Sequence, residues 1–533
     1  MKIKIKKIIA VIGLVSCFNS LYTPLNAQSH SPNKSVVIYG QIMPAKAGEK
    51  LEIDTITVTF WQTYNRNGGK FPEPQVIKTV TRIGGFFAAL GQTIFNVSVP
   101  NVSDIGYLRV STNNDVLLYD YLVEPGDSVK ILFDQRFRRT VFAGPSAKKF
   151  QCFNDLEEAN AIEKFENKPI VFTKKISDVL RTDSLIEAYK INSLKQFGNM
   201  FQITLIYSAE YVKKLRSDLD KKPTQLNGWD IIEHYKYHIT NKAYSTLQSN
   251  IVGNHLSVKY SEFDRLYQSA SKDNKKQLLD SLNQIYYDVI EPTPQLFTDS
   301  IIVSSSSYPY ALLTKAYIGS RILNKPIYEL LKNKYTGILR ERLVLAYFSE
   351  KLGKIDNASE LMADALKYFK TDVFRKSLTK LYNSTTVGAR AYDFSLKDVS
   401  GKVVKLSDFK GKVVFIDFWF TGCLSCSAFY TKQLYKMEQY YKGNPNFVFL
   451  SISSDKDLNG WKKSINGGLY TSKHTLNLYT NGEGFTHPIL NEYGVFTYPA
   501  QVLIDRKGKI EQRANLSVPF EQLIQIIDFS LAK

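Results

Sequence analysis

Val413-Val-Phe-Ile-Asp-Phe-Trp-Phe-Thr-Gly-Cys-Leu-Ser-Cys426 decides the reading of this chain. An apolar run of this length, broken by Thr-Gly, predicts a buried strand, and the segment Cys426–Tyr441 that follows has helical periodicity. The Cys-x-x-Cys pair therefore sits where a helix starts. Backbone N–H groups and the positive end of the helix dipole lower a thiol's pKa there and favour the nucleophilic thiolate. A spacing of three puts both sulfurs on one turn, within reach of a short disulfide, so the pair can pass between dithiol and disulfide. Two other uses of such a pair compete with this one. Zinc would need a second pair or convergent histidines, and neither is in the sequence. A purely structural disulfide closing so short a loop would constrain the unfolded chain little.

Outward from this stretch, strand-like runs at Val413–Phe418, Phe447–Ile452, Gln501–Asp505 and Lys509–Gln512 alternate with helical ones at Cys426–Tyr441 and Phe520–Ala532, which predicts an α/β domain over 387–533. Upstream, over 147–386, the apolar period is near 3.6 and an all-α domain is expected. Its clearest element is Ile338–Leu352, closed by Gly353, and Asn357-Ala-Ser-Glu360 resembles a capping box before the next helix. His234 and His238 are four apart, but Tyr235 stands where a zinc-protease helix needs Glu, so they are read as ordinary surface or packing residues. Over 35–146 short β-rich runs such as Val36–Ile42, Leu51–Phe60, Phe95–Val99, Tyr107–Val110 and Val129–Phe133 alternate with turn signals. That pattern predicts an antiparallel β-sandwich. Cys152, without a nearby partner, is expected to be a buried, inert thiol.

Residues 1–27 read as a secretion signal: a basic start with Lys2, Lys4, Lys6 and Lys7, an apolar segment from Ile8, then a polar end. Two cleavage sites compete. Leu14-Val-Ser-Cys17 resembles a lipobox, which would place a lipid anchor on Cys17, while Leu25-Asn-Ala27 resembles an ordinary signal-peptidase site. Either implies an exported, oxidising compartment, where disulfides persist unless reduced. The chain has 533 residues, 44% apolar and 22% charged, which excludes wholesale disorder. The formal net charge is +19, but no basic stripe interleaved with aromatics accompanies it, so no nucleic-acid partner is expected.

The C-terminal domain resembles the TlpA/ResA-type exported thiol–disulfide oxidoreductases, which have a thioredoxin-like fold. Ala391–Lys412 resembles their lead-in hairpin, and Asp417-Phe-Trp419 the segment before their active site. Tyr493–Ile510 resembles their cis-proline strand and hairpin, with Pro499 as the cis residue. The resemblance implies Cys423 as the exposed attacking thiolate and Cys426 as the buried resolving thiol. It implies Asp417, six residues before Cys423, as the buried proton acceptor. Pro499 would bring the Tyr498 backbone to the sulfurs for pairing with substrate. Trp419 would line the approach or serve as plain core. No cofactor beyond the dithiol is implied; the partners are protein disulfides or thiols and a membrane-linked electron donor. Gly422 and the Leu424-Ser425 dipeptide depart from the usual pattern. The upstream arrangement, with Leu122–Asp127 and Phe142–Pro145, resembles multidomain TlpA-like proteins of the Gram-negative periplasm. Two alternatives stand beside the reductase: a thiol peroxidase, which would want Thr where Phe420 stands, and a surface binding protein with a vestigial thioredoxin module.

Overall fold

The computed structural model describes residues 34–46, 53, 55–64, 73–84, 93–112, 115–167, 170–179, isolated positions between 182 and 195, 202–355 and 357–533. The signal segment and Cys17 lie outside the described residues. The chain divides into two compact units. One holds the described residues up to Gln62 with Val76–Asp155 and Glu233–Tyr244; the other holds Thr63–Gln75, Leu156–Ile232 and Ser245–Lys533.

Among the described residues the first unit has nine strands: β1 (Lys34–Met43), β2 (Thr55–Trp61), β3 (Gln75–Val80), β4 (Arg82–Ile83), β5 (Thr93–Val102), β6 (Gly106–Ser111), β7 (Val116–Val123), β8 (Ser128–Asp134) and β9 (Arg139–Ala143). They form sheets of order β4-β5-β1-β8-β9 and β3-β2-β6-β7. Alternate residues are buried, as Val36 and Ile38 on β1 and Ile56 and Val58 on β2, so each sheet has one apolar face. One pair corrects the all-antiparallel expectation: β1 and β8 run parallel. A tight hairpin imposes antiparallel pairing, but six strands intervene between these two and no turn constrains their direction.

The Glu124-Pro-Gly-Asp127 turn joins β7 to β8. Gly126, at φ +88°, takes the left-handed conformation the turn requires. The Glu124 amide donates to Asp127 Oδ2 at 2.7 Å, and the Lys149 ammonium donates to both carboxylates, Glu124 Oε2 at 2.7 Å among them. Burial works against the Lys149 charge, but the two carboxylates outweigh it and hold the amine above its usual range. Lys149→Met would leave two buried carboxylates without a cation. Chemical denaturation should show it destabilised by about 3–5 kcal/mol.

In the second unit, helices including Lys276–Ile285, Tyr308–Leu323, Gly337–Lys351 and Asp372–Thr385 share one core around Phe263, Leu313, Leu343, Phe348 and Leu378. Two details depart from the helical expectation. The short β-branched runs β10 (Ile170–Thr173) and β11 (Gln202–Leu205) pair as a parallel ribbon. Asn357 caps the Ala358–Leu366 helix by position only, since its backbone (φ −102°, ψ 34°) is not extended and its side chain makes no capping bond.

The C-terminal sheet follows: β12 (Ser395–Asp398), β13 (Val403–Lys405), β14 (Val413–Trp419), β15 (Phe447–Ser453), β16 (Leu476–Tyr479), β17 (Ala500–Ile504) and β18 (Ile510–Gln512), in order β13-β12-β16-β15-β14-β17-β18. Every residue of β14 is buried, as expected of a strand covered on both faces. It lies parallel to β15 and antiparallel to β17. On one face Val413 and Phe415 pack with Tyr430, Leu434, Leu523 and Ile527 from two helices; on the other, Ile416 and Phe418 pack with Ile489 and Leu490. The segment before Pro499 is seated on the helical core, where Phe496 packs and Gly494, at φ +59°, leaves room for Leu352.

Candidate active site

β14 ends at Trp419, and the helix that carries the pair begins at Leu424 and continues to Tyr440 through one wider π-helical turn at Tyr430–Leu434. Between them the chain is held on both sides. The Thr421 amide and hydroxyl each donate to Asp455 at 2.8 Å, and the Gly422 amide donates to Tyr470 Oη at 2.9 Å. Gly422 has φ +94°, so a residue without Cβ fits there and the bulkier residue of the family pattern would be strained.

Cys423 is the helix N-cap and is joined to Cys426 by a disulfide, with Cα atoms 5.3 Å apart. Its Sγ accepts the Cys426 amide at 3.1 Å, the bond that would stabilise a thiolate at the same place. Cys423 is 5% exposed and Cys426 2%, so the expected contrast between an exposed and a buried sulfur is small. In the disulfide both sulfurs sit in a pocket of Trp419, Trp461, Tyr470 and Tyr479. Leu424 between them is the opposite, 85% exposed.

Of the two readings of Trp419, the core one fits: it has no exposed surface. It packs in the same cluster as the disulfide, stacks on Tyr470 with ring centroids 5.0 Å apart, and donates Nε1–H to Ser451 Oγ at 2.7 Å. The solvent side is formed by other rings: Phe420, Phe485 and Tyr498 meet edge to face at 5.2–5.7 Å. Phe420 thus fills the place where a peroxidase would need a hydroxyl. The Tyr498–Pro499 bond is cis. The Tyr498 carbonyl accepts the Ser425 hydroxyl at 3.3 Å, and Ser425 Oγ is 3.5 Å from Cys423 Sγ, which brings that backbone to the pair.

Asp417, 2% exposed, precedes Trp419 by two on β14 and so shares its face of the sheet, the face covered by the Cys423–Cys426 helix. Burial pushes its carboxyl up to about 7, with the Gln501 amide, donating at 2.7 Å, working the other way. Gln501, Tyr470, Ser451 and Phe485 were not singled out from the sequence. The one available signal was Gln501, a lone amide heading an otherwise apolar strand.

Cys152 is fully buried, as expected, with its thiol pushed up to about 12 by burial and then by Asp155. The His234 and His238 rings lie 6.2 Å apart, and among the described residues no cluster of three His, Cys, Asp or Glu side chains could hold a metal.

Residues 411–510 match a family model described as thioredoxin-like. The thiol-disulfide oxidoreductase ResA of Bacillus thuringiensis subsp. konkukian is 32% identical over 138 residues, 26% of this chain and 74% of that one. The ResA of Geobacillus thermodenitrificans is 32% identical over 131 residues, 24% of this chain and 69% of that one. Among solved structures, the thioredoxin domain of a thiol-disulfide oxidoreductase from Bacteroides vulgatus is similar, with 27% identity and a TM-score of 0.24, over 27% of this chain and 98% of that one. Through its C-terminal domain, the chain belongs to the thioredoxin-like thiol–disulfide oxidoreductases of the ResA kind, and is an enzyme.

Proposed function

We propose that the protein is an exported protein disulfide reductase, acting through Cys423 and Cys426. The observation that carries this is the redox pair at a helix start, with the Cys426 amide already aimed at Cys423 Sγ. The reduced enzyme presents a Cys423 thiolate, which attacks one sulfur of a protein disulfide; a mixed disulfide forms and the substrate's other sulfur leaves as a thiolate. Asp417 takes the proton of Cys426. The resulting thiolate attacks Cys423 Sγ and expels the second substrate thiolate, and both substrate thiolates are then protonated. Two electrons have passed to the substrate and the pair is the disulfide. A membrane-linked dithiol donor re-reduces it. Proline at 499 has no N–H, which leaves the Tyr498 backbone as the edge an extended substrate can pair with. Export is supported by residues 1–27, with retention through Cys17 or release after Ala27 as the two outcomes. The direction of exchange is supported by the compartment, where disulfides form without help and reduction needs a dedicated enzyme.

The test removes the resolving thiol. Cys426→Ala, reduced and mixed with disulfide-containing proteins, should accumulate mixed disulfides joined through Cys423, seen as bands lost on reduction and assigned by peptide mapping. No adducts, or adducts through Cys152, would overturn the proposal.

A further inference from the structure

The acid does not stand alone. Asp417 and Gln501 are directly opposite in the β14–β17 register, both buried, and Gln501 Nε2 lies 2.7 Å from Asp417 Oδ1. The other end of that amide is engaged as well: the Ser517 hydroxyl donates to Gln501 Oε1 at 2.7 Å. Ser517 is exposed, so the chain Asp417–Gln501–Ser517 runs from the buried carboxyl to solvent.

An amide and a hydroxyl can each both donate and accept. As drawn by these distances, the chain suits an ionised Asp417: the hydroxyl donates to Oε1, and Nε2 donates to the carboxylate. If Asp417 binds a proton, every bond can reverse. The carboxyl O–H donates to Oε1, the amide having turned over, and Nε2 donates to Ser517 Oγ, whose hydrogen turns to water. A lysine or arginine at 501 could only donate and so could not take the carboxyl O–H, and an apolar residue could do neither, leaving a buried carboxyl unpaired.

We infer that Gln501, oriented by Ser517, is a positioning residue that keeps Asp417 hydrogen-bonded in both of its charge states by turning over its amide. This rests on Asp417 being the proton acceptor of the exchange. Gln501 acts through the acid and touches no reacting atom. Other ionisable groups on the elements around this face are already engaged. Tyr430 donates to Glu438 at 2.9 Å on the helix above, and on Phe520–Ala532 Asp528 takes the Tyr441 hydroxyl at 2.7 Å. From β15 the group opposite Asp417 is Ser451, held by Trp419. Arg513 donates to the Tyr493, Gly494 and Gln501 carbonyls. Cys423 and Cys426, as the disulfide, carry no proton.

The test is an infrared titration of the oxidised full-length protein, with the Asp417 carboxyl band assigned by its loss in Asp417→Asn. Gln501→Met keeps a straight chain of similar volume and removes both hydrogen bonds. Its Asp417 midpoint should rise by less than about one pH unit, because the charge-assisted bond lost from the ionised form is stronger than the bond lost from the neutral one. The protonated band should move to higher frequency as the O–H loses its acceptor. Ser517→Ala, at a surface position that cannot threaten folding, should raise the midpoint by less. Unmoved midpoints in both variants, or a parent band already at the free-carboxyl frequency, would overturn the inference. The pH profile of mixed-disulfide resolution separates this from the catalytic reading: midpoints that move while that profile stays fixed would end the role of Asp417 and leave the Gln501 pairing standing.

Discussion

Cys423→Ser should abolish reduction of insulin by dithiothreitol, taking the rate to that of dithiothreitol alone. The Ser hydroxyl at the N-cap still accepts the Cys426 amide, so the helix start is preserved. What is lost is the sulfur that forms the mixed disulfide, and a hydroxyl cannot replace it in thiol–disulfide exchange. The measurement is insulin turbidity with time for parent and variant at equal concentration. Unchanged turnover would put the enzyme's chemistry elsewhere on the chain.

Asp417→Asn should slow turnover near neutral pH by roughly ten- to a hundredfold, the range of a lost general base. Alkylation of Cys423 should continue at its parent rate, because the thiolate there is supported by the helix start and not by the acid. Below about pH 7 the parent carboxyl holds a proton and cannot accept another, so the parent rate should itself fall on acidification through that value while the variant's stays flat. Stability should move the other way. The carboxyl's folded pKa, about 7, lies above the ordinary carboxylate value near 4, so the folded state binds more protons between them and loses stability as pH rises across that window. Asparagine carries no such penalty. Unfolding free energies of parent and variant should be close near pH 4 and diverge in the variant's favour by a few kcal/mol above pH 7. Superimposed rate profiles would mark Asp417 as structural.

The residues in these two tests were legible because their signals are local. Cys423, Cys426 and Asp417 lie within one strand–turn–helix, where periodicity and spacing report the geometry directly, and Pro499 sits in its own short motif. Partners supplied by distant strands were not legible. Gln501 reaches Asp417 across 84 residues, a meeting set by which strands become neighbours and in what register, and Tyr470 reaches Gly422 across 48, a meeting of two loops. The partners of Trp419 were hidden for the same reason, since Ser451 comes from the neighbouring strand and Tyr470 from a distant loop. Glycine at 422 looked like a departure from the family pattern until its positive φ gave the reason. In the sandwich, alternation marked the strands well, yet the parallel β1–β8 pair is a fact of topology and leaves no trace in either strand's own residues.

Leu424 has an outcome of its own. Lying between two buried sulfurs yet 85% exposed, it contributes almost nothing to the core, and an exchange there should alter stability by no more than about 0.5 kcal/mol. It stands in solvent beside the disulfide, open to contact by an incoming protein. Drift at this single codon is therefore invisible to folding and visible to whatever docks, so a lineage can change its clientele here without renegotiating its architecture.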